Sequence, residues 1–269
     1  MKAISKIYAV LIFLFLYAPI VVLIVFSFND STTMSRSVWS GFSIKWYLKL
    51  FQDGMLLSAL RNTLVIAAVA ALVSTVLGTA AAIGIGGMNK LMKRMVMDVT
   101  NLPMVNPEIV TGVSLMLLFV FVAKSMGNLT LGMFSLILAH ITFCLPYVIL
   151  SVLPKLRQMD PHLYEAAQDL GCSPIFAFFK VVLPEIMPGV VTGMIMAFTL
   201  SIDDFVISYF TSGTTQTLPI FIYSMTRKRI SPEINALSTL LFGTIIVLLL
   251  IINFRQAKDQ KAEEKAEEA

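Results

Sequence analysis

Six apolar stretches recur along the chain: Ile7 to Phe28, Thr63 to Gly87, Val99 to Ala123, Leu131 to Leu153, Pro188 to Phe210 and Ala236 to Phe254. Each is close to the ~20 residues an α-helix needs to cross a ~30 Å hydrocarbon core. Inside lipid a backbone cannot bond to water, so a crossing stretch must satisfy its amides internally as a helix. The predicted fold class is an all-α membrane protein, one bundle of six transmembrane helices with no room for a second, soluble domain. Composition agrees, with 57% hydrophobic residues, 13% charged residues and a mean hydropathy of +0.84. A soluble domain has nowhere to bury so much apolar surface. The first stretch follows Lys2 and Lys6, but it is longer than the apolar part of a secretory signal and no A-x-A cleavage site follows, so it is read as a retained helix.

Orientation follows from Lys and Arg in short loops, which favour the cytoplasmic side. With the N-terminus inside, twelve of the 20 Lys and Arg fall on the inner side, Lys90, Lys93, Arg94, Lys155 and Arg157 among them. The Arg227-Lys228-Arg229 cluster argues the other way. Six crossings return the C-terminus to the starting side. The expected organisation is a cytoplasmic N-terminus at 1–6, a membrane domain at 7–254 containing a cytoplasmic loop at 154–187, and a charged cytoplasmic tail at 255–269. Trp39, Trp46 and Tyr47 would then sit at the outer interface, where amphipathic rings settle. Cys144 in the fourth span and Cys172 in the loop do not suggest a disulfide. Nothing matches the phosphate-cradling run G-x-x-x-x-G-K-[ST], so ATP chemistry would belong to another chain.

The 154–187 loop has helix signals of its own. Asp160-Pro161 supplies a cap and a preset φ, and Gly171 supplies a left-handed stop. Between them Leu163, Ala166, Ala167 and Leu170 fall at i, i+3, i+4 and i+7, one apolar face. Ser173-Pro174 repeats the cap, and Ile175, Phe178, Phe179 and Val182 repeat the template. The pattern predicts two short amphipathic helices joined at a glycine. Helices of about ten residues are marginal alone, so both need a covering surface, either another protein or the chain's own helix ends. Glu165 lies beside the apolar face.

The same loop reads Glu165-Ala166-Ala167, three residues, Gly171, nine residues, then Val181-x-Leu183-Pro184. It resembles the Glu-Ala-Ala loop of ATP-binding-cassette importer permeases, in which EAA, three spacers, Gly and nine spacers precede Ile-x-Leu-Pro; Val181 is the one departure. The resemblance implies a six-helix type I importer permease whose loop forms a coupling helix that docks into a separate ATPase. Glu165, Ala166, Ala167, Gly171, Leu183 and Pro184 would be the coupling residues. Ala139 to Pro146, Phe198 to Asp204 and Ser231 to Leu237 extend the likeness over nearly the whole chain. Through them it is similar to the second permease, the C component, of bacterial spermidine/putrescine importers. This branch belongs to the binding-protein-dependent transport inner membrane component family. The implied partners are a homologous sister permease, two copies of a cytoplasmic ATPase that binds the ATP and magnesium, and an external polyamine-binding protein. No cofactor in this chain and no nucleic acid is implied. The implied location is the bacterial cytoplasmic membrane, crossed several times, with both termini inside.

Ionisable groups within spans cost roughly 2.5 to 3.5 kcal/mol each at the bilayer centre and usually face a cavity or a partner. Here they are Glu108, His140, Asp203 and Asp204, with no Lys or Arg in the six stretches. A path whose fixed charges are carboxylates favours a cation, which agrees with a polyamine independently of the resemblance. Each residue has a plainer alternative. Asp203, fifteen residues into its predicted helix, is either a pathway charge or a residue at the outer interface. Adjacent residues on a helix point about 100° apart, so at most one of Asp203 and Asp204 faces a pore squarely. Glu108 follows Pro103 and Asn106-Pro107 and marks a gate or a kink. His140 is a packed histidine bonded to a carbonyl, or a cargo contact. Tyr147, Tyr209 and Phe210 either offer ring faces to a cation or pack between helices. An intramembrane aspartyl protease needs aspartates on two facing helices, which neighbours cannot supply. A permease for an organic cation, an iron chelate or an oxyanion stays open, as does an ATP-independent channel or secondary transporter, although the latter leaves the loop unexplained.

Overall fold

A computed structural model describes residues 2–30, 39–126, 130–160, 162–228, 233–244 and 246. Among the described residues five helices are long and apolar enough to cross a membrane. Of the sixth predicted span, residues 236–244 and 246 are helical; the rest of it, the 255–269 tail, Pro161 and Arg229 lie outside the described residues. The chain divides into two compact units, Met1–Leu57 with Ile222–Ala269, and Ser58–Phe221.

In the first unit α1 (Lys2–Ser27) and α2 (Lys45–Gln52) are tied by polar contacts. The Ser27 hydroxyl bonds the Tyr47 hydroxyl at 2.7 Å, and the Trp46 indole donates to the Asn29 carbonyl at 2.9 Å. Lys45 pairs with Asp30 and Lys49 with Glu233. Trp39 meets Phe26 edge-on, so the three predicted interface aromatics gather at the end of α1. Along α1 itself Tyr8, Phe13, Phe15 and Val22 are exposed, the surface of a helix that faces lipid or another apolar chain.

The second unit is built from α3 (Gly54–Gly86) from Ser58 onward, α4 (Lys90–Val105), α5 (Glu108–Met126), α6 (Met133–Gln158), α7 (His162–Asp169), α8 (Pro174–Ala177), α9 (Leu183–Asp203), α10 (Val206–Thr211) and the start of α11 (Leu218–Lys228). Its core lies on α6, where Cys144, Val148 and Val152 are fully buried. Two neighbours approach α6 closely because glycines face it. A Cβ at Gly78 of α3 would stand 2.7 Å from a Val148 methyl, and one at Gly193 of α9 would stand 3.2 Å from the Val148 Cα. Gly189, four residues before Gly193, packs its backbone against the Ser151 carbonyl. This is the small-residue packing that membrane helices use where no hydrophobic effect drives them together.

Three predicted boundaries move. The second span starts at Gly54, because the Asp53 carboxylate accepts the amides of Met55 and Leu56 and so begins the helix early. Arg61 therefore lies within α3, and α5 takes in Lys124, so the expectation of spans without Lys or Arg does not hold for the helices as formed. The third span is interrupted: Asn106 is extended, with ψ 141°, between α4 and α5. Pro107 disfavours helical geometry in the residue before it. The fifth span stops at Asp203, where Asp204 is extended with ψ 118°.

Candidate functional site

The break after α9 is organised by four side chains. Asp204 accepts the backbone amides of Ile207 at 3.3 Å and Ser208 at 2.7 Å, so its carboxylate closes the first turn of α10. Its Oδ2 lies 3.6 Å from Nε2 of His140 on α6. That imidazole is 1% exposed and spans the break: Nδ1 bonds the Ser201 hydroxyl at 2.6 Å, and Nε2 bonds the Ser208 hydroxyl at 2.9 Å. A neutral imidazole has one donor and one acceptor nitrogen. The carboxylate beside Nε2 favours the tautomer with its proton there, leaving Nδ1 to accept from Ser201. Every member of this buried set thus has a partner, the condition under which polar groups are tolerated in an apolar core.

Two expectations are corrected here. Asp203 and Asp204 do not lie on one continuing helix; the first ends α9 and the second follows it. His140 bonds two hydroxyls rather than a carbonyl. Asp203 is exposed while Asp204 is 8% exposed. Glu108, the first residue of α5, is also exposed, and half-buried Tyr147 meets Phe143 edge-on. Gly112 brings α5 against α10, where an added Cβ would stand 2.9 Å from the Phe210 ring. Tyr209 is exposed and tilted against Phe205. The fold therefore joins His140 to Asp204 and leaves Glu108, Asp203 and Tyr209 facing outward. Ser201 and Ser208 were not singled out from sequence. Their signal is the run Ser201, Asp204, Ser208 at i, i+3 and i+7 in a stretch otherwise apolar but for Asp203, a polar stripe that requires a buried partner.

At 162–187 the first predicted helix forms as α7. The Asp160 carboxylate accepts the His162 amide at 2.9 Å, and Gly171 ends the turn with φ +87°. Ala167 is buried, but Leu163, Ala166 and Leu170 are exposed, Leu170 to 86%. Glu165 is exposed with His162 3.6 Å away. The second short helix is not separate. After Ser173, whose hydroxyl accepts the Phe176 amide, the chain stays helical from Pro174 to Asp203 through a π-helical turn at Phe178–Val182. That wider turn shifts the register. Ile175, Phe176 and Phe179 point outward, Val182 inward, Leu183 is half-buried and Pro184 is exposed. Coupling a surface element directly to a membrane helix is what this continuity allows.

Membrane-crossing helices are broken at two points and carry an exposed amphipathic loop, and this is the fold of permease chains in solved ABC transporters. It superposes, with TM-score 0.73 and 16% identity over 96% of this chain and 95% of the other, on a chain of a bacterial ABC transporter involved in the import of the acidic polysaccharide alginate. A chain of a bacterial alginate ABC transporter in complex with alginate pentasaccharide-bound periplasmic protein aligns with TM-score 0.69 and 17% identity over 93% and 91%. Residues 74–257 match the family described as binding-protein-dependent transport system inner membrane component. The chain is 40% identical to the putrescine transport system permease protein PotI of Escherichia coli (strain K12), over 93% of this chain and 89% of that protein. It is 38% identical to the spermidine/putrescine transport system permease protein PotC of the same strain, over 89% and 88%. The chain belongs to the binding-protein-dependent transport system inner membrane component family, whose members are transport subunits rather than enzymes.

Proposed function

We propose that this chain is a permease subunit of an ATP-driven polyamine importer, forming half of a translocation path with a sister permease. The observation that carries the cargo is the 40% identity to a putrescine permease across 93% of the chain. The fold alone does not select a cation, since a chain of the same fold belongs to a transporter of an acidic polysaccharide. The exposed carboxylates Asp203 and Glu108 agree with ammonium-bearing cargo, for which Tyr147 and Tyr209 are further candidate contacts through their ring faces. His140 and Asp204 shape the path from behind.

The exposed apolar side chains of Leu163, Leu170, Ile175 and Phe179 are the docking surface for a cytoplasmic ATPase, present in two copies, which binds the ATP and magnesium. Glu165, Ala166 and Gly171 contact it, Ala167 packs behind them against the rest of the chain, and Leu183 and Pro184 begin the helix that carries its motion inward. The loop and both termini lie on the cytoplasmic side, and a polyamine-binding protein loads the outer face. ATP binding closes the ATPases and opens the bundle outward; hydrolysis returns it inward. Labelled spermidine and putrescine uptake in cells lacking this chain, with and without its return and with ATP depleted, tests the reading. Uptake that requires both the chain and ATP supports it, and polyamine uptake indifferent to the chain removes the cargo assignment.

A further inference from the structure

Asp203 and Asp204 are adjacent and chemically identical, yet one is exposed and the other buried. The separation depends on the break between α9 and α10, and the break depends on geometry that α9 does not contain. The bridge across it comes from α6: one imidazole bonds Ser201 in α9 and Ser208 in α10, at 2.6 and 2.9 Å, on the two sides of the extended Asp204.

We propose that His140 is a positioning residue of the permease: by drawing Ser201 and Ser208 onto opposite edges of its ring it holds the chain open at Asp204, and so sets the direction in which Asp203 is presented. Asp204 is consumed within the chain, by the Ile207 and Ser208 amides and by the histidine. Asp203 is the carboxylate of the pair that remains for cargo. Without the ring, the Ser208 hydroxyl is free to bond the carbonyl one turn back, as serines in helices do, and α9 can run on through Asp204 and turn Asp203 elsewhere.

That Asp203 meets a polyamine rests on the function proposed above; that His140 sets its direction does not, and the test separates the two. Asp203→Cys is introduced into the full chain in membrane vesicles, alone and together with His140→Leu or His140→Gln. Labelling of residue 203 by a water-soluble methanethiosulfonate is followed by mass spectrometry of its peptide. His140→Leu should change the labelling rate by about tenfold, and His140→Gln, whose amide both donates and accepts, should restore it to within about twofold. Ser201→Ala and Ser208→Ala, each removing one bond, should give intermediate rates and serve if the leucine variant does not fold. Equal rates in all variants overturn the proposal. In parallel, His140→Leu in the chain with Asp203 intact should raise the KM for putrescine uptake, with rescue by His140→Gln. A changed labelling rate with unchanged KM supports the positioning role and removes Asp203 from the polyamine path. A fall in Vmax with KM and labelling unchanged makes His140 a stability residue only and overturns the proposal.

Discussion

The joint at Asp204 and the loop from His162 to Val182 invert each other's chemistry. The joint hides polar groups in an apolar bundle: His140, Ser201, Ser208 and Asp204 are all buried, and each bonds another part of the same chain. The loop displays apolar groups outward, with Leu170 86% and Ile175 72% exposed. Buried polar atoms are stable only when their bonding is complete, so the joint is finished within one chain. Exposed apolar side chains on a short helix gain nothing until another surface covers them, and the ATPase docking proposed above would supply that cover. On that reading one region answers to internal mutations and the other to partner mutations.

The sharpest way to break this contrast is Leu170→Asp together with Phe179→Asp. ATP-driven uptake and co-purification of the ATPase should be lost while membrane content and thermal midpoint hold, since exposed substitutions usually shift stability within about ±0.5 kcal/mol. A folded complex that retains its ATPase would show that the loop is covered by something else. The reverse pattern is expected for Gly189→Val, whose Cβ would stand 2.8 Å from the Ser151 carbonyl oxygen. Overpacking of that kind costs about 1–3 kcal/mol or more, read as a lower thermal midpoint of the purified chain with or without ATPase.

Ser208→Val tests whether the joint is complete. Removing the hydroxyl leaves the His140 nitrogen without that partner and should destabilise by about 1–2 kcal/mol. A thermal midpoint equal to that of the unaltered protein would mean the bond contributes nothing. The smallest effect belongs to Gly171→Ala. A Cβ there meets nothing within 4 Å, but the φ of +87° strains an L-residue by about 1 kcal/mol. The loop should distort locally, slowing uptake a few-fold without altering the melting of the bundle, and an unchanged uptake rate would show that the loop geometry is not limiting.

How much could be read in advance differs between these regions for a physical reason. The loop was legible because its signals are local: Asp160, Ser173 and Gly171 act on amides a few residues away, and the apolar spacing needs only a helix. Its second half was misjudged because a π-helical turn at Phe178–Val182 joins it to α9, and continuity of that kind depends on packing downstream. Glu108 was correctly marked as following a break, since Pro107 acts on its direct neighbour. The early start of α3 was also local, carried by Asp53, but the apolar pattern alone places the boundary later.

The sequence by itself determined that this chain carries apolar helices long enough to cross a membrane and that one loop is helical and amphipathic, while helix ends such as Gly54 and Asp203 fall well away from the limits of the apolar runs. Those properties follow from apolar run length, helix periodicity and caps, all of them interactions over short stretches of chain. Only the tertiary structure decided which of two adjacent aspartates is buried and which exposed. The deciding bonds join His140 to residues 61 and 68 positions away. They exist because α6 and α9 meet closely over glycines and put one imidazole beside the one place where the fifth membrane helix stops.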